Sequence, residues 1–368
     1  MVIQTMWKDR LSFSDLNDDT VKRIEGLRSM GCGLLRFAVP DIAAAETLGA
    51  LAKLVSMPLV ADIHFDYKIA LRCMDFPIAK IRINPGNIGG KEKVKAVLDK
   101  ASEKGVAIRI GVNAGSLPQD LRERAGEKNL TTEDCRPLGG LEVHGERFQN
   151  CAEALVEAAE RELAIFDELG FANTVVSMKA SNLADTIKAN RLLAEHTDVP
   201  LHIGVTEAGP LVAGVARSSA ALSLLLSQGI GDTLRVSLSD SMENEIITAR
   251  EILGATAEIA AIQGNSDAEA RLKRGGVTII SCPRCGRHGF DTHGFCNRWL
   301  THLYALDRTI TVAIMGCEVN GPEEARHADI GITGAGDKVL IFRRGVIVRT
   351  VTATEADTAF EEELAEEK

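Results

Sequence analysis

Ala79-Lys-Ile-Arg-Ile-Asn84 and Ala107-Ile-Arg-Ile-Gly-Val112 are short runs rich in β-branched residues, and between them lies the amphipathic stretch Glu92 to Lys104, closed by Gly105. Runs of this kind read as strands, and the stretch between them as a helix with a glycine just past its end. Strand, helix and strand together make a parallel pair. The same unit recurs on both sides. Upstream stand Val2-Ile-Gln-Thr-Met6, Leu34-Leu-Arg-Phe-Ala-Val39 and Pro58-Leu-Val-Ala-Asp-Ile63. Downstream stand Asn173-Thr-Val-Val-Ser-Met178, Pro200-Leu-His-Ile-Gly-Val205 and Thr233-Leu-Arg-Val-Ser-Leu238. That makes eight runs, alternating with helical stretches such as Asp15 to Met30 and Asn182 to His196, several closed by Gly31, Gly170 or Gly229. Eight units close naturally into a (β/α)8 barrel of the TIM type. The competing architecture is a doubly wound open sheet, which uses fewer strands and carries a G-x-G-x-x-G turn after the first; no such turn is seen.

Such a barrel carries its chemistry at the C-terminal ends of its strands. Those ends are polar here: Arg36, Asp62 with His64, Arg82 with Asn84, Arg109 with Asn113, Lys179, Glu207, and Arg235 with Ser237. Four arginines and a lysine on one rim make an anion site. Guanidinium forks match phosphate oxygens in pairs, so the expected ligand carries a phosphate or diphosphate, with Asn84, Asn113 and Ser237 adding neutral hydrogen bonds. The bland alternative is that some of these charges form ion pairs inside the barrel, and it weighs most for Arg36 and Arg235. His64 has no second histidine at helical spacing and reads as a hydrogen-bonding residue rather than a metal ligand. Asp62 and Glu207 are the candidate acid/base carboxylates, Glu207 preferred because Thr206-Glu-Ala-Gly209 sets it in a flexible turn. One connection is long. Its charged, glycine-containing part, Pro118 to Arg147, precedes a helix expected over Phe148 to Leu169 and reads as a lid or a surface insertion.

The chain has 368 residues, 45% of them hydrophobic and 26% charged, enough for one large domain and a smaller one. A net charge of -10 argues against nucleic-acid binding, which needs a basic footprint. There is no run of eighteen apolar residues and no basic-apolar leader, so neither a membrane span nor secretion is indicated, and a cytoplasmic protein with reduced thiols is expected. Cys32, Cys73, Cys135 and Cys151 read as small apolar residues or surface thiols. The acidic tail from Glu355 reads as a solvated helix.

The division expected is a barrel over residues 1–263, a polar, glycine-rich linker over 264–276 and an α/β unit over 277–368. In that last part Ser281-Cys-Pro-Arg-Cys-Gly-Arg287 is answered by Met315-Gly-Cys-Glu-Val-Asn-Gly-Pro-Glu-Glu324. Cys282, Cys285 and Cys317 supply three thiolates for one soft metal centre, and the fourth ligand has two candidates. Cys296 would complete a four-thiolate zinc or electron-transfer site. Glu324 would instead give a hard, easily displaced oxygen ligand, opening an iron to substrate. Cys296 falls in the amphipathic stretch Phe295 to Leu300, a packing position. The elements expected around these loops are strands Val277 to Ser281, Thr311 to Met315 and Asp329 to Thr333, a helix Gly294 to Leu306, and a hairpin of Lys338 to Phe342 with Val346 to Val351.

With these residues laid out, the chain resembles the bacterial-type 4-hydroxy-3-methylbut-2-enyl diphosphate synthases, iron-sulfur enzymes of the methylerythritol phosphate isoprenoid pathway. The resemblance runs over nearly the whole chain. It is carried by Val60-Ala-Asp-Ile-His-Phe-Asp66, Arg82-Ile-Asn-Pro-Gly-Asn87, Arg109-Ile-Gly-Val-Asn-Ala-Gly-Ser116, Thr206-Glu-Ala-Gly209, Gly231-Asp-Thr-Leu-Arg-Val-Ser237, Cys282-Pro-Arg-Cys285 and the Cys317 to Glu324 loop. It implies a [4Fe-4S] cluster on Cys282, Cys285, Cys317 and Glu324. It also implies substrate binding by Arg82, Arg109, Lys179, Asn84, Asn113 and Ser237, with Arg36, Asp62 and His64 at further pocket positions, and Glu207 as proton donor. The reaction implied is reductive ring opening of a cyclic diphosphate, with reduced ferredoxin or flavodoxin as electron donor, in a head-to-tail homodimer. One departure is Glu323, a second carboxylate where the family shows glycine. The rival readings are a redox-inactive phosphate-binding barrel, of pterin or aldolase type, with a structural zinc ribbon, and an electron carrier or binding module on a degenerate barrel.

Overall fold

The computed structural model describes residues 1–124, 151–180, 182–273, 275–283 and 285–367. Two compact units are formed, residues 1–273 and 274–368. In the first, eight strands follow one another: β1 Val2–Met6, β2 Cys32–Ala38, β3 Leu59–Asp62, β4 Lys80–Ile83, β5 Ala107–Asn113, β6 Thr174–Lys179, β7 His202–Ile203 and β8 Thr233–Leu234. They lie in the order β6-β5-β4-β3-β2-β1-β8-β7, and every pairing is parallel. A parallel bridge between Val176 of β6 and Leu201, just ahead of β7, joins the two edges and closes the ring. This is the (β/α)8 barrel expected from the alternation.

The helices between the strands start and stop where short-range chemistry dictates. Asn17, Asp41, Asn182 and Ser241 each accept, through the side chain, a backbone N–H of the first turn of the helix that follows. Gly105 takes φ +68 after the helix Lys91–Lys104, a left-handed geometry that a side chain would oppose. Strand residues alternate between the helices and the barrel interior. Fully buried apolar residues such as Ile81, Ile108, Val97 and Phe166 fill the core, each stabilising by roughly 1.5–3 kcal/mol.

β7 and β8 are shorter than the runs from which they were expected. A side chain at Gly204 would come within 2.5 Å of the Arg235 carbonyl oxygen, so the two chains are pressed together there and then part. The Arg235 N–H still donates to the Ile203 carbonyl at 3.0 Å, and beyond it residues of both segments, among them Thr206, Glu207, Ser237 and Ser239, line the mouth. Residues 264–276, read as linker, contain the helix Ser266–Leu272, whose Ala268 and Leu272 are buried. Of the long connection, the described part holds the short helix Gln119–Arg124; the remainder to residue 147, Cys135 and the expected start at Phe148 lie outside the described residues. The helix expected there is described over Cys151–Glu168.

The second unit is a five-stranded sheet of β9 Val277–Ser281, β10 Ile310–Met315, β11 Ile330–Ala335, β12 Lys338–Arg343 and β13 Val346–Val351, in the order β13-β12-β11-β10-β9. β9, β10 and β11 run parallel, and β11, β12 and β13 are antiparallel neighbours. The helix Thr292–Tyr304 brings Phe295 within 5.2 Å of Phe360, ring centroid to centroid. The acidic tail is therefore not a solvated helix: Ala356–Glu366 buries Phe360 and Leu364, four residues apart on one face. Among the described residues, no helix is long and apolar enough to cross a membrane.

Candidate functional site

Register sets the polar residues side by side in two rows. Asp62 of β3 stands opposite Arg82 of β4, Arg82 opposite Arg109 of β5, and Asn113 of β5 opposite Lys179 of β6. Arg82, Arg109, Asn113 and Lys179 open onto a cavity of about 380 Å³. Its wall includes the five basic residues Arg36, Arg82, Arg109, Lys179 and Arg235, with Asn113, Glu207 and Ser237. Thr206, Ser177 and Ser239 also line it, and sequence reasoning had not singled them out as ligand contacts.

Asp62 and His64 stand behind this wall. Asp62 is buried and accepts from Arg82 Nη1 at 3.1 Å through one oxygen and from Arg36 Nη2 through the other. His64 Nε2 lies 3.2 Å from Arg82 Nη1 and 3.4 Å from Asp62 Oδ2, a hydrogen-bonding place as expected. Burial alone would raise the Asp62 carboxyl, but the His64 hydrogen bond and the charges of Arg36 and Arg82 outweigh it and hold Asp62 below the usual carboxylate range. That direction favours the ionised form, which suits the carboxylate to anchoring the two arginines. Asn84 is buried at the start of the short helix Pro85–Ile88.

A second anchor was missed. Glu245, 1% exposed on the helix Met242–Ile262, accepts from Thr5 Oγ1 at 2.6 Å, Lys8 Nζ at 3.0 Å, Arg235 Nη2 at 3.4 Å and the Leu238 N–H at 3.1 Å. It ties β1 and the chain beyond β8 to that helix, and so sets Arg235 and Ser237 at the cavity. The signal was present: Glu245 falls on the buried stripe Met242, Ile246, Ala249, Leu253, where a carboxylate has no place without partners.

Arg109 and Lys179 differ from the other cations. Both are buried, and among the described residues neither forms an ion pair; Arg109 Nε and Nη1 have no hydrogen-bond partner. Burial, then the charge of Arg36, disfavours the Arg109 cation; burial, then Arg109 and Arg235, pushes the Lys179 ammonium far below its usual value. An anion in the cavity relieves both. Two inward-facing glycines give the cations room: a side chain on Gly111 would strike Arg82, and one on Gly204 would lie 2.8 Å from Lys179 Nζ. Glu207 is exposed at the rim with φ +51, a left-handed geometry that costs a non-glycine residue about 1 kcal/mol or more.

In the smaller unit, Cys282 follows β9 directly, and its N–H donates to the Ile314 carbonyl of β10 at 3.0 Å. Cys317 lies two residues past β10 and is buried; its carbonyl accepts from Thr333 Oγ1 at 2.8 Å and from the Gly321 N–H at 3.0 Å. Cys282 Sγ lies 3.7 Å from where a side chain on Gly316 would begin, so the two cysteine loops share one end of the sheet. Glu324 is exposed and ends a single π-helical turn, Val319–Glu324, with Glu323 beside it. Gly321 is needed in that turn, because a side chain would meet Thr333 at 2.6 Å. Cys285 is exposed; Cys296 lies in the helix Thr292–Tyr304 with its sulfur 3.4 Å from Ser281 Oγ. Among the described residues, no three His, Cys, Asp or Glu side chains converge at metal-holding distance.

A (β/α)8 barrel with a basic, anion-seeking mouth, followed by a small α/β unit with cysteines on the loops of adjacent strands, defines a two-domain class of phosphate-handling protein. The GcpE TIM-barrel domain matches residues 1–250 and the GcpE protein C-terminal domain matches residues 278–366, so the chain belongs to the GcpE family. It is 50% identical over 372 residues, 99% of this chain and 85% of the relative, to the 4-hydroxy-3-methylbut-2-en-1-yl diphosphate synthase (flavodoxin) of Treponema pallidum (strain Nichols). The protein of the same name from Treponema denticola is 51% identical over 351 residues, 95% of this chain and 86% of that one. That of Thermodesulfovibrio yellowstonii is 43% identical over 345 residues, 94% and 88% of the two chains.

Proposed function

We propose that the chain carries out the two-electron reductive ring opening and deoxygenation of 2-C-methyl-D-erythritol 2,4-cyclodiphosphate to 4-hydroxy-3-methylbut-2-enyl diphosphate, a step of non-mevalonate isoprenoid biosynthesis. Family membership and half-identity to synthases named for that product support this reading. The observation that carries it is the charge count at the mouth. Counting Lys8, which Glu245 also holds, six basic side chains face three carboxylates, Glu207 on the wall and Asp62 and Glu245 behind it, which leaves a positive surplus. A cyclic diphosphate diester carries one ionised oxygen on each phosphorus, two negative charges in all.

Arg109 and Lys179, the cations without a carboxylate partner among the described residues, take the diphosphate, and Arg36, Arg82 and Arg235 frame it. Asn84, Asn113 and Ser237 supply neutral hydrogen bonds and orientation. In each turnover one ring C–O bond to phosphate breaks, a carbon–carbon double bond forms and a hydroxyl leaves as water, at the expense of two electrons and one proton. Glu207, at the rim of the cavity, delivers that proton. Placing the diphosphate beforehand lowers the barrier by orientation and fixed charge.

No side chain supplies electrons, so a cofactor must. Cys282, Cys285, Cys317 and Glu324 would hold a [4Fe-4S] cluster: soft thiolates from the loops of adjacent strands, with one hard carboxylate, fit iron better than zinc. Held there, such a cluster would supply electrons one at a time. The relatives' names support flavodoxin as the donor, and a cytoplasmic setting suits such a donor. The barrel domain, residues 1–263, binds, and residues 277–368 carry the cluster.

A head-to-tail homodimer suits the rim. Phe13, Ile42, Phe65, Leu211 and Val212 are exposed, and all follow C-terminal strand ends. Exposed apolar side chains around a polar mouth are what a covering domain of a second copy would use. The test of the whole reading is oxygen-free purification with metal analysis and turnover of the cyclic diphosphate. About four iron and four sulfide per chain, a brown colour that bleaches on reduction, and formation of the alkenyl diphosphate are expected; zinc alone, or no turnover with a strong reductant, would overturn it.

A further inference from the structure

We infer that Gly111 is a positioning residue for diphosphate binding, because the side chain it lacks leaves the slot in which the Arg82 guanidinium lies. Arg109 and Gly111 are two apart on β5 and so share the interior face. A Cβ at position 111 would lie 2.4 Å from Arg82 Nε, 2.8 Å from Nη2 and 3.0 Å from Cζ, and these are the three nearest atoms. The obstruction is one guanidinium, not backbone. Arg82 is held where it lies: it is 4% exposed, its Nη1 is tied to Asp62 at 3.1 Å, and the other oxygen of Asp62 is taken by Arg36. A methyl group at 111 must push the guanidinium off Asp62 or out into the cavity, and either shift turns its fork away from the ligand. Gly204 offers no such clean case, since a side chain there meets the Arg235 carbonyl at 2.5 Å and would displace the strand itself.

The inference rests on the reading of the mouth as a diphosphate site, and titration of inorganic pyrophosphate into the full chain separates the two. Gly111→Ala should weaken pyrophosphate binding about tenfold, the scale of one charge-assisted hydrogen bond. KM for the cyclic diphosphate should rise with it while kcat changes less. In an Arg82→Lys background, where no planar guanidinium fills the slot, the same alanine should cost less than about threefold, the non-additivity expected of two residues in contact. Equal losses in both backgrounds, or unchanged binding in Gly111→Ala, would overturn the inference. If the native protein itself bound no pyrophosphate, the diphosphate reading would fall and this inference with it. Should Gly111→Ala fail to fold, recovery of the fold in the Arg82→Lys background supports the slot, and an unfolded double variant counts against it.

Discussion

Asp62 holds Arg82 through one carboxylate oxygen, at 3.1 Å, and Arg36 through the other, so a single buried anion fixes two of the five cations at the mouth. Asparagine at 62 would keep the shape and remove the charge. Breaking a buried pair in this way costs about 3–5 kcal/mol, because the partners are left uncompensated. Asp62→Asn should therefore lower the urea midpoint markedly, and saturating pyrophosphate should restore part of the loss by supplying the missing negative charge. An unchanged midpoint would show that the two arginines need no internal anion.

Lys179 is the converse case. Its ammonium is buried among like charges, which is useful only when an anion arrives. Lys179→Met should stabilise the ligand-free protein by about 1–3 kcal/mol, as replacement of an uncompensated buried charge by an apolar side chain does. The same variant should lose the rise in melting temperature that pyrophosphate confers on the native chain. Loss of stability in the variant would mean that the lysine has an anionic partner at rest.

Glu324→Cys replaces the exchangeable ligand by a fourth thiolate. The purified variant should remain brown, with iron and sulfide retained, while turnover falls at least about tenfold, the scale on which changes around a metal centre act. Full turnover would show that the oxygen ligand has no part in the reaction.

Glu162 lies on the helix Cys151–Glu168, and its Oε2 has no hydrogen-bond partner. Burial raises its carboxyl from the usual 4.5 to about 7. The sign follows from linkage: a raised value means that the folded chain holds the proton more tightly than the unfolded one, so stability falls as pH climbs from 4.5 through 7 and the buried carboxylate forms. Glu162→Gln should flatten that fall. The two proteins should melt alike near pH 4 and separate above pH 7, the variant being more stable by something on the order of 1 kcal/mol after solvent screening. Parallel melting curves across the range would rule out ionisation of this residue as the cause.

The barrel was legible because its signal is repeated: β-branched runs ending in a basic or amide residue recur at β4, β5 and β6, where strand length and expectation agree closely. The mouth was legible for the same reason, since Arg82 and Arg109 occupy matching places in successive units. What escaped was whatever depends on partners far along the chain. Glu245 can be read as an anchor only once β1 and the chain after β8 are known to meet it, 240 and 7 residues away. The tail and the segment after Gly264 looked polar by composition, yet pairs four residues apart, Phe360 with Leu364 and Ala268 with Leu272, suffice to seat short helices. The cysteine loops suggest a metal site by spacing alone; that Cys282 Sγ sits over Gly316 is a matter of strand pairing, which spacing cannot give.

The ring of strands is joined by ladders everywhere except between Val176 and Leu201, where a lone bridge does the closing. A hoop so built has a seam, tied near the mouth by the Thr206 N–H, which donates to the Ala180 carbonyl at 3.4 Å. Lys179 ends one lip, and the turn bearing Glu207 continues from the other. Parting of the lips by a fraction of an ångström would therefore change the spacing of the two groups that would grip the diphosphate and hand over the proton, while Arg36 and Arg82, deep in the fully laddered half, keep their places. Half the mouth is thus fully laddered and half more lightly tied, an arrangement suited to a guest that enters as a ring and departs as a chain.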